Sequence, residues 1–339
     1  MRTWIGQLTA VLALLAGACT PLQEVPGGET ACVDICLAGT RLTGVTTADE
    51  TRINRWCVFL AEEGRIVTFG TAQGNGPVSG VAIREGRYTL LALANYPEGF
   101  DPGSFRLLDE VTAHSFPLED NAQNALLMYG ERADVEITAA TGTVSIPAER
   151  LCARVTVKRV TLDFSAREVL AAQSFRLQEM YLSNVYARTC LHLGEPWSMP
   201  YTDYYNKWGT ATFTNPLVYE SLGLSLSSGQ THSTAHHFYT WPNGTPSEVD
   251  DENRRNQGWT GHRCTRLVLK ALLGGETRYY VVDLPGISRN CLYTIEEIIL
   301  RGRGSSDPEV PSEEIDVYFS TTGPGSWDGT PDYTVTENA

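Results

Sequence analysis

Short segments that alternate apolar and polar residues recur along most of this chain. In segment 31–37 (ACVDICL), Val33, Ile35 and Leu37 fall on one face of an extended strand. Segment 56–60 (WCVFL) is continuously apolar and rich in residues that favour strands. The same reasoning predicts strands at 66–69, 86–95, 133–139, 153–164, 265–273, 277–285, 291–300, 314–320 and 332–338.

This pattern predicts an all-β protein built from antiparallel β-sandwiches. The strands are short, turns rich in Gly, Pro, Asn and Asp separate them, and few segments have helical periodicity. The 339 residues suggest two domains, at about 150 residues per domain. We place the boundary where segment 143–147 leaves one strand cluster, giving domains 31–145 and 146–339. No internal sequence repeat is evident.

Composition and charge narrow the classes of partner. The chain has 26 Lys and Arg against 40 Asp and Glu, a formal charge of −14, and its few basic clusters lie beside acidic residues. Binding of a polyanion requires a concentrated basic surface. Nucleic acid is therefore excluded as a predicted partner. Apolar residues make up 42% of the chain, which is enough for a sizeable core.

The N-terminus resembles a bacterial lipoprotein signal. Arg2 precedes the apolar run 8–15, and small residues then lead to Cys19. In such signals cleavage leaves the cysteine as the lipidated first residue, so the resemblance implies a signal peptide at 1–18, lipid attachment at Cys19 and a flexible tether at 19–30. Ala16 stands where these signals prefer a large aliphatic residue, and an ordinary signal peptide is the alternative.

The cysteines leave the disulfide pattern open. Eight are present, and assigning Cys19 to lipid leaves an odd number, so at least one thiol is free or bonded to another molecule. Cys32 and Cys36 lie on one predicted strand, about 13 Å apart by strand rise. That separation is too long for a disulfide between them.

Four stretches of the sequence carry recognisable motifs: TRINRWCVFLAEEGRI (51–66), GRYTLLALANYP (86–97), RLCARVTV (150–157) and the C-terminal region from 265 to 319. Together they resemble the fimbrillin family of Bacteroides-type (type V) pilus subunits. Within the last stretch, Arg289, Asn290 and Tyr293 match the family's Arg-Asn-x-x-Tyr pattern, and 306–308 (SDP) matches its turn before the closing strand.

The resemblance implies two transthyretin-like sandwich domains with Greek-key style connections and a structural role in adhesion. It implies export as a lipoprotein to the outer membrane and the cell surface, followed by assembly with other pilus subunits into a fimbrium. In that scheme a protease cuts after an arginine beyond the first strand, and a strand from a neighbouring subunit takes the vacated place.

One residue and one segment of this sequence are candidates for the cleavage and for the donor strand. Arg41 lies in the polar link after the first strand and is the predicted cleavage site, with Arg52 and Arg55 as alternatives. Segment 332–339 (DYTVTENA) is the predicted donor strand; the alternative is a last strand that pairs within its own domain. Anchor and tip subunits are further alternatives to a polymerising subunit.

Enzymatic function is not predicted, and no cofactor is implied. The sequence contains no nucleophile elbow, no phosphate-binding loop and no complete metal motif. His232, His236 and His237 are interpreted as solvated loop side chains. Adjacent acidic pairs, such as 62–63 and 296–297, project to opposite faces of a strand and do not form a glycosidase dyad.

The main rival hypothesis is a glycan-binding surface lipoprotein. Aromatic residues crowd into one stretch, and such rings can stack on sugars or pack over the edge of a sandwich. The candidates are Trp197, Tyr201, Tyr204, Tyr205 and Trp208, with Trp241 and Trp259 as further rings.

Overall fold

The computed structural model describes residues 29–38, 48–193, 203–207, 210, 212–245, 263–310, 314–322 and 332–337. In the first half of the chain the strands are β1 (Thr30–Ala38), β2 (Arg55–Glu62), β3 (Arg65–Gln73), β4 (Val78–Arg84), β5 (Gly86–Ala94), β6 (Phe116–Pro117), β7 (Met128–Ile137), β8 (Thr143–Pro147) and β9 (Glu149–Arg150).

In the second half the strands are β10 (Ala153–Val157), β11 (Val160–Leu162), β12 (Phe175–Ser183), β13 (Val185–Tyr186), β14 (Arg188–Thr189), β15 (Tyr204–Tyr205), β16 (Tyr219–Leu226), β17 (Thr231–His232), β18 (His236–Thr240), β19 (Arg266–Leu273), β20 (Glu276–Asp283), β21 (Leu292–Leu300), β22 (Ile315–Thr322) and β23 (Asp332–Glu337). The helical elements are short: α1 (Leu108–Thr112), α2 (Glu168–Ala171) and 3-10 turns at Ala48–Thr51, Pro102–Ser104 and Leu118–Asp120.

The all-β sandwich fold predicted from the sequence is confirmed, and most strand pairs are antiparallel, with parallel pairs at β1–β8, β10–β21 and β11–β21. The strand predicted at 291–300 is β21, Leu292–Leu300. No helix in the described part of the chain is long and apolar enough to cross a membrane.

The first sandwich packs a three-stranded sheet against a five-stranded sheet. Sheet A has the order β4-β1-β8, and sheet B has the order β3-β2-β5-β7-β9. Alternate residues of β2 face sheet A, so that Trp56, Val58 and Leu60 share one buried cluster with the apolar residues of β1. The other face of sheet B is covered by the segment 96–127, which carries α1.

The second sandwich is built the same way and then extended. In sheet C, β17 and β18 pair with β11 and β10, these two pair with β21, and β22 and β23 follow on the other side of β21. Sheet D has the order β16-β12-β19-β20. Buried residues such as Val155 and Ile295 of sheet C pack with Leu177 and Leu269 of sheet D.

The two sandwiches repeat one topology. The order β3-β2-β5-β7 in sheet B corresponds to β16-β12-β19-β20 in sheet D, and β4-β1-β8 in sheet A corresponds to β18-β10-β21 in sheet C. In both, the first strand runs parallel to one neighbour and antiparallel to the other. The sequence shows no such repeat because a sandwich constrains polarity and strand order more than residue identity. Only the second copy carries two further strands, β22 and β23, in the described part of the chain.

The predicted domain boundary between 145 and 146 falls inside β8. That strand pairs with β1, and β9 still pairs with β7, so the change from the first sandwich to the second occurs at 151–152. Pro147 ends β8, where a residue without an N–H group is tolerated on an edge strand. The segment 143–147, at which the boundary was placed, is therefore itself a strand of the first sandwich.

A buried ion pair joins the two sandwiches. Glu50, in the 3-10 turn before β2, is fully buried, and both its carboxylate oxygens accept from Arg154 Nη1 of β10 at 2.8 Å. Arg150 donates to the Glu50 carbonyl at 2.9 Å, and the Tyr239 hydroxyl donates to the carboxylate. Burial raises the pKa of Tyr239, and the negative charge of Glu50 adds to that effect, so the phenol stays protonated and remains a donor.

Strand β6 adds a second connection between the sandwiches. It extends from the segment over sheet B and pairs with β14 of the second sandwich. The Leu118 N–H donates to the Ala187 carbonyl at 2.8 Å, and the Leu191 N–H donates to the Thr112 carbonyl at 3.0 Å. The buried apolar cluster is continuous from Leu91 of sheet B into sheets C and D. The junction is therefore packed and hydrogen-bonded.

Substitution Glu50→Gln is expected to lower the free energy of unfolding by about 3–5 kcal/mol, because it leaves the buried Arg154 guanidinium without its counter-charge. The control is Glu136→Gln, which removes an exposed pair with Arg87 whose side chains are each 64% accessible and is expected to cost about 0–1 kcal/mol. Urea unfolding followed by tryptophan fluorescence measures both. Equal effects of the two substitutions contradict the role given to Glu50.

Candidate functional site

The first strand occupies the centre of sheet A, between two strands that do not pair with each other. Residues Thr30–Ile35 of β1 pair with β4, with a bulge between Val33 and Ile35. Residues Asp34–Ala38 pair in parallel with β8. The two partners therefore hold successive halves of β1, and sheet A is continuous only while this strand is present.

Apolar side chains bind β1 to the opposite sheet. Ala31, Val33 and Ile35 are at most 1% exposed and lie in the cluster formed with Trp56 and Leu90 of sheet B. Burying a valine or isoleucine side chain contributes about 1.5–3 kcal/mol. This alternation follows the sequence pattern, since Cys32 on the opposite face is exposed.

Removal of β1 would expose a groove with two hydrogen-bonding edges. Its floor is the apolar face of β2 and β5, including Val58 and Ala92, and its walls are the facing edges of β4 and β8. Unpaired strand edges beside an apolar floor bind an extended segment by strand addition. We call this place the β1 seat.

The predicted modification and processing residues lie outside the described residues. This applies to Cys19 and to Arg41, which falls in the link 39–47 between β1 and the next described element. The proposed donor segment is described over Asp332–Glu337, where its backbone pairs antiparallel with β22 at the edge of sheet C. Within this single chain it is thus the last strand of its own sandwich.

The Arg-Asn-x-x-Tyr pattern builds the turn before β21. Asn290 has a φ of 54°, and its N–H donates to the Cys152 carbonyl at 3.0 Å. The Tyr293 hydroxyl accepts from the Ser288 N–H at 2.8 Å and donates to the Gly286 carbonyl at 3.1 Å. Arg289 donates to the Leu191 carbonyl at 2.9 Å. These residues fix the loop that aligns β21 with β10.

The described aromatic candidates for sugar stacking pack against the protein itself. Tyr204 is buried, and its ring stacks on Tyr186 with centroids 4.7 Å apart. Tyr205 stacks on Phe213 at 3.7 Å. Trp241 is also fully buried. The remaining predicted rings, Trp197, Tyr201, Trp208 and Trp259, lie outside the described residues.

The histidines differ from their predicted role as solvated loop side chains. His236 and His237 lie on β18, and His236 is only 4% exposed. His236 Nδ1 lies 2.6 Å from Glu220, and its Nε2 lies 2.9 Å from Nε2 of His232. The sequence-based interpretation was wrong here because β16 and β18, which bring these groups together, were not predicted as strands.

The buried cysteines are not activated nucleophiles. Burial raises the pKa of the Cys152 thiol to about 12 and that of the Cys291 thiol to about 11, and it also raises the pKa values of Cys57 and Cys190. A thiol must lose its proton to act as a nucleophile. None of the seven described cysteines is joined to another by a disulfide.

A cleft of about 810 Å³ lies at the end of sheet B, between the start of β2 and the segment 96–127. Its polar lining is largely occupied by structural contacts. Arg55 donates to the Tyr96 carbonyl at 2.9 Å and lies over the Tyr96 ring, while Asn95 donates to the carbonyls of Arg52 and Leu126. Burial lowers the pKa of His114 in this cleft. No acid–base pair is formed among these residues.

Comparison with known proteins identifies the fold. No family model and no curated protein sequence matches the chain. Solved structures do. A protein assigned to cell adhesion from Bacteroides eggerthii is 18% identical with a TM-score of 0.66, over 88% of this chain and 97% of that chain.

Two further structures are named for fimbriae. A fimbrilin from Porphyromonas gingivalis is 14% identical with a TM-score of 0.59, over 87% of this chain and 98% of that chain. The tip fimbrial protein Mfa3 from the same organism is 12% identical with a TM-score of 0.53, over 86% of this chain and 99% of that chain. The fold implied by the fimbrillin resemblance is therefore confirmed.

Substitution Ile35→Ala in β1 is expected to lower the free energy of unfolding by about 2–5 kcal/mol, because it leaves a cavity over sheet B. Cys32→Ser, on the exposed face of the same strand, is the control and is expected to change it by less than about 0.5 kcal/mol. Denaturant unfolding of the uncleaved chain measures both changes. If Ile35→Ala is as mild as the control, β1 is not packed as described.

Proposed function

We propose that this protein is a structural subunit of a surface fimbrium, exported as a lipoprotein and assembled by exchange of its first strand. The observation that carries the proposal is the position of β1 in the centre of sheet A, with its apolar face buried and a nine-residue link, 39–47, after it. When β1 leaves, no other strand among the described residues links β4 to β8.

The chain downstream of that link favours Arg41 as the cleavage site. The Arg52 backbone is held at both ends, since its N–H donates to Asp49 at 3.1 Å and its carbonyl accepts from Asn95 at 2.8 Å. Arg55 begins β2 and is engaged with Tyr96. Cleavage is favoured where the backbone is exposed and free of such bonds.

The contacts of the buried Glu50 carboxylate also support cleavage at Arg41. It lies nine residues after Arg41 and is bonded to β10 and β18, so the body of the protein stays closed when the chain is cut upstream. In this proposal the segment from Cys19 to Arg41 leaves with its lipid. The remaining subunit then begins at Leu42 and keeps an open β1 seat.

The partners in this proposal are other subunits of the same fimbrium. The similar structures include a fimbrilin and a tip fimbrial protein. Segment 332–339 is the proposed donor, because its strand Asp332–Glu337 pairs with β22 and with no other strand of the described residues. Filling the β1 seat restores the hydrogen bonds of β4 and β8 and covers the apolar floor. No catalytic step by this chain is required.

Mass spectrometry of protein sheared from the cell surface tests the cleavage. The expected mature N-terminus is Leu42, and Arg41→Ala is expected to retain lipidated Cys19 and to abolish polymer. Arg52→Ala is the matched control and is expected to be processed normally. Polymer that still carries Cys19 would instead indicate a subunit that keeps its lipid and first strand, as an anchor does.

Deletion of 332–339 tests the donor segment. The truncated protein is expected to fold and to be cleaved, yet to remain monomeric by size-exclusion chromatography, because no strand is available for the next subunit. Asn338→Ala is the control and is expected to polymerise. Normal polymers from the truncated chain refute the donor assignment and leave the β1 seat to be filled by another segment.

A further inference from the structure

Three titratable side chains meet where both sheets of the second sandwich end. His232 comes from β17 and His236 from β18, at one edge of sheet C, and Glu220 comes from β16, at the edge of sheet D. The two imidazole Nε2 atoms lie 2.9 Å apart, and Glu220 Oε2 lies 2.6 Å from His236 Nδ1. The fimbrial function proposed above does not use this cluster.

The carboxylate determines which nitrogen of His236 carries the proton. An ionised carboxylate only accepts hydrogen bonds, so His236 Nδ1 must donate to Glu220. In the neutral ring the lone pair is then on Nε2, which faces His232. This is the arrangement in which a carboxylate orients a metal-binding histidine and increases the basicity of its other nitrogen.

We propose that His232 and His236 bind a divalent transition-metal ion, of the zinc and copper class, through their Nε2 atoms. Imidazole nitrogens suit these ions. With Zn–N distances of about 2.0–2.1 Å, two ligands at a tetrahedral angle lie about 3.3 Å apart. The observed 2.9 Å separation reaches that value when the rings move by a few tenths of an ångström.

In the metal-free protein a hydrogen bond joins the two rings. His232 donates from Nε2 to His236 Nε2 when both rings are neutral, and its proton moves to Nδ1 when Nε2 binds the ion. No net proton is released in that case. Burial lowers the pKa of His232, with His236 acting in the same direction and Glu220 in the opposite one, which favours the neutral ring.

The surroundings allow an ion to reach the site. His236 is buried, but His232 is half-buried and the Glu220 side chain is 45% exposed. Among the described residues no group of three or more His, Cys, Asp or Glu side chains is placed to hold a metal. Water therefore completes the coordination, and binding is weaker than at a structural zinc site with four protein ligands.

A bound ion ties together chain segments that otherwise meet only at the sandwich edge. It bridges β17 and β18 across the turn 233–235, and Glu220 extends the connection to β16 of the other sheet. Binding to the folded state alone raises stability with ion concentration. The expected consequence is a higher Tm for the second sandwich.

The experiment is calorimetric titration of the chelator-treated uncleaved chain with Zn²⁺ and Cu²⁺ at pH 7.5. One saturable site is expected, with copper bound more tightly than zinc. His232→Gln is expected to abolish it. Glu220→Gln, which keeps both ligands, is expected to weaken it about 10–100-fold. His192→Gln is the control, since this exposed histidine lies beside Glu131 and not at the site.

Two further measurements distinguish metal binding by this histidine pair from metal binding by cysteine thiolates. The Co²⁺ complex is expected to lack the intense sulfur-to-metal absorption of thiolate ligands. Binding is expected to weaken as the pH falls, because protons compete with the ion for the imidazole nitrogens. Equal binding by the wild-type protein and His232→Gln, thiolate absorption, or no saturable binding at millimolar Zn²⁺ overturns the proposal and leaves a hydrogen-bonded histidine pair.

Discussion

The first sandwich depends on the pairing of β1 with two strands at once. A sheet of three strands loses its continuity when the central one is removed, whereas removal of an edge strand leaves the rest intact. Here the central strand is also the first described strand, and the nine residues that follow it, 39–47, are mostly polar or small in sequence. The apolar face of β2 must be covered, so the seat requires an occupant, but neither backbone hydrogen bonds nor apolar burial requires that the occupant belong to the same chain.

Among the described residues, the contacts that join the two sandwiches do not involve the β1 seat. Sheet B is covered on its second face by the segment 96–127, and its core continues into the second sandwich. Glu50 holds the beginning of the chain after the link against Arg154, and β6 pairs with β14. The apolar residues of the β1 seat thus belong to a different buried cluster from those of the junction. In the second sandwich the corresponding strand is β10. It is followed almost at once by β11, so no comparable link separates it from the next strand.

Regular alternation of apolar and polar residues made most strands predictable from the sequence. Strands in which a bulge interrupts that alternation were missed. Strands β1, β2, β5 and β19 to β22 follow from their apolar patterns. Strands β4 and β16 were missed because each contains a glycine with positive φ, Gly80 and Gly223, at a bulge that shifts the period-two pattern by one residue. The histidine cluster was missed with them. The β1 seat was predictable in outline, while the Glu50 pair was not, because its partners are about a hundred residues apart in sequence.

The division of β1 between β4 and β8 has a mechanical consequence. The amino end of the strand is bonded to one partner and the carboxyl end to the other, and only Ile35 is paired with both. A load applied at the amino end falls first on the antiparallel ladder with β4, and a load applied at the carboxyl end falls first on the parallel ladder with β8. The lifetime of a strand in this seat under tension therefore depends on the direction of pull as well as on its binding free energy.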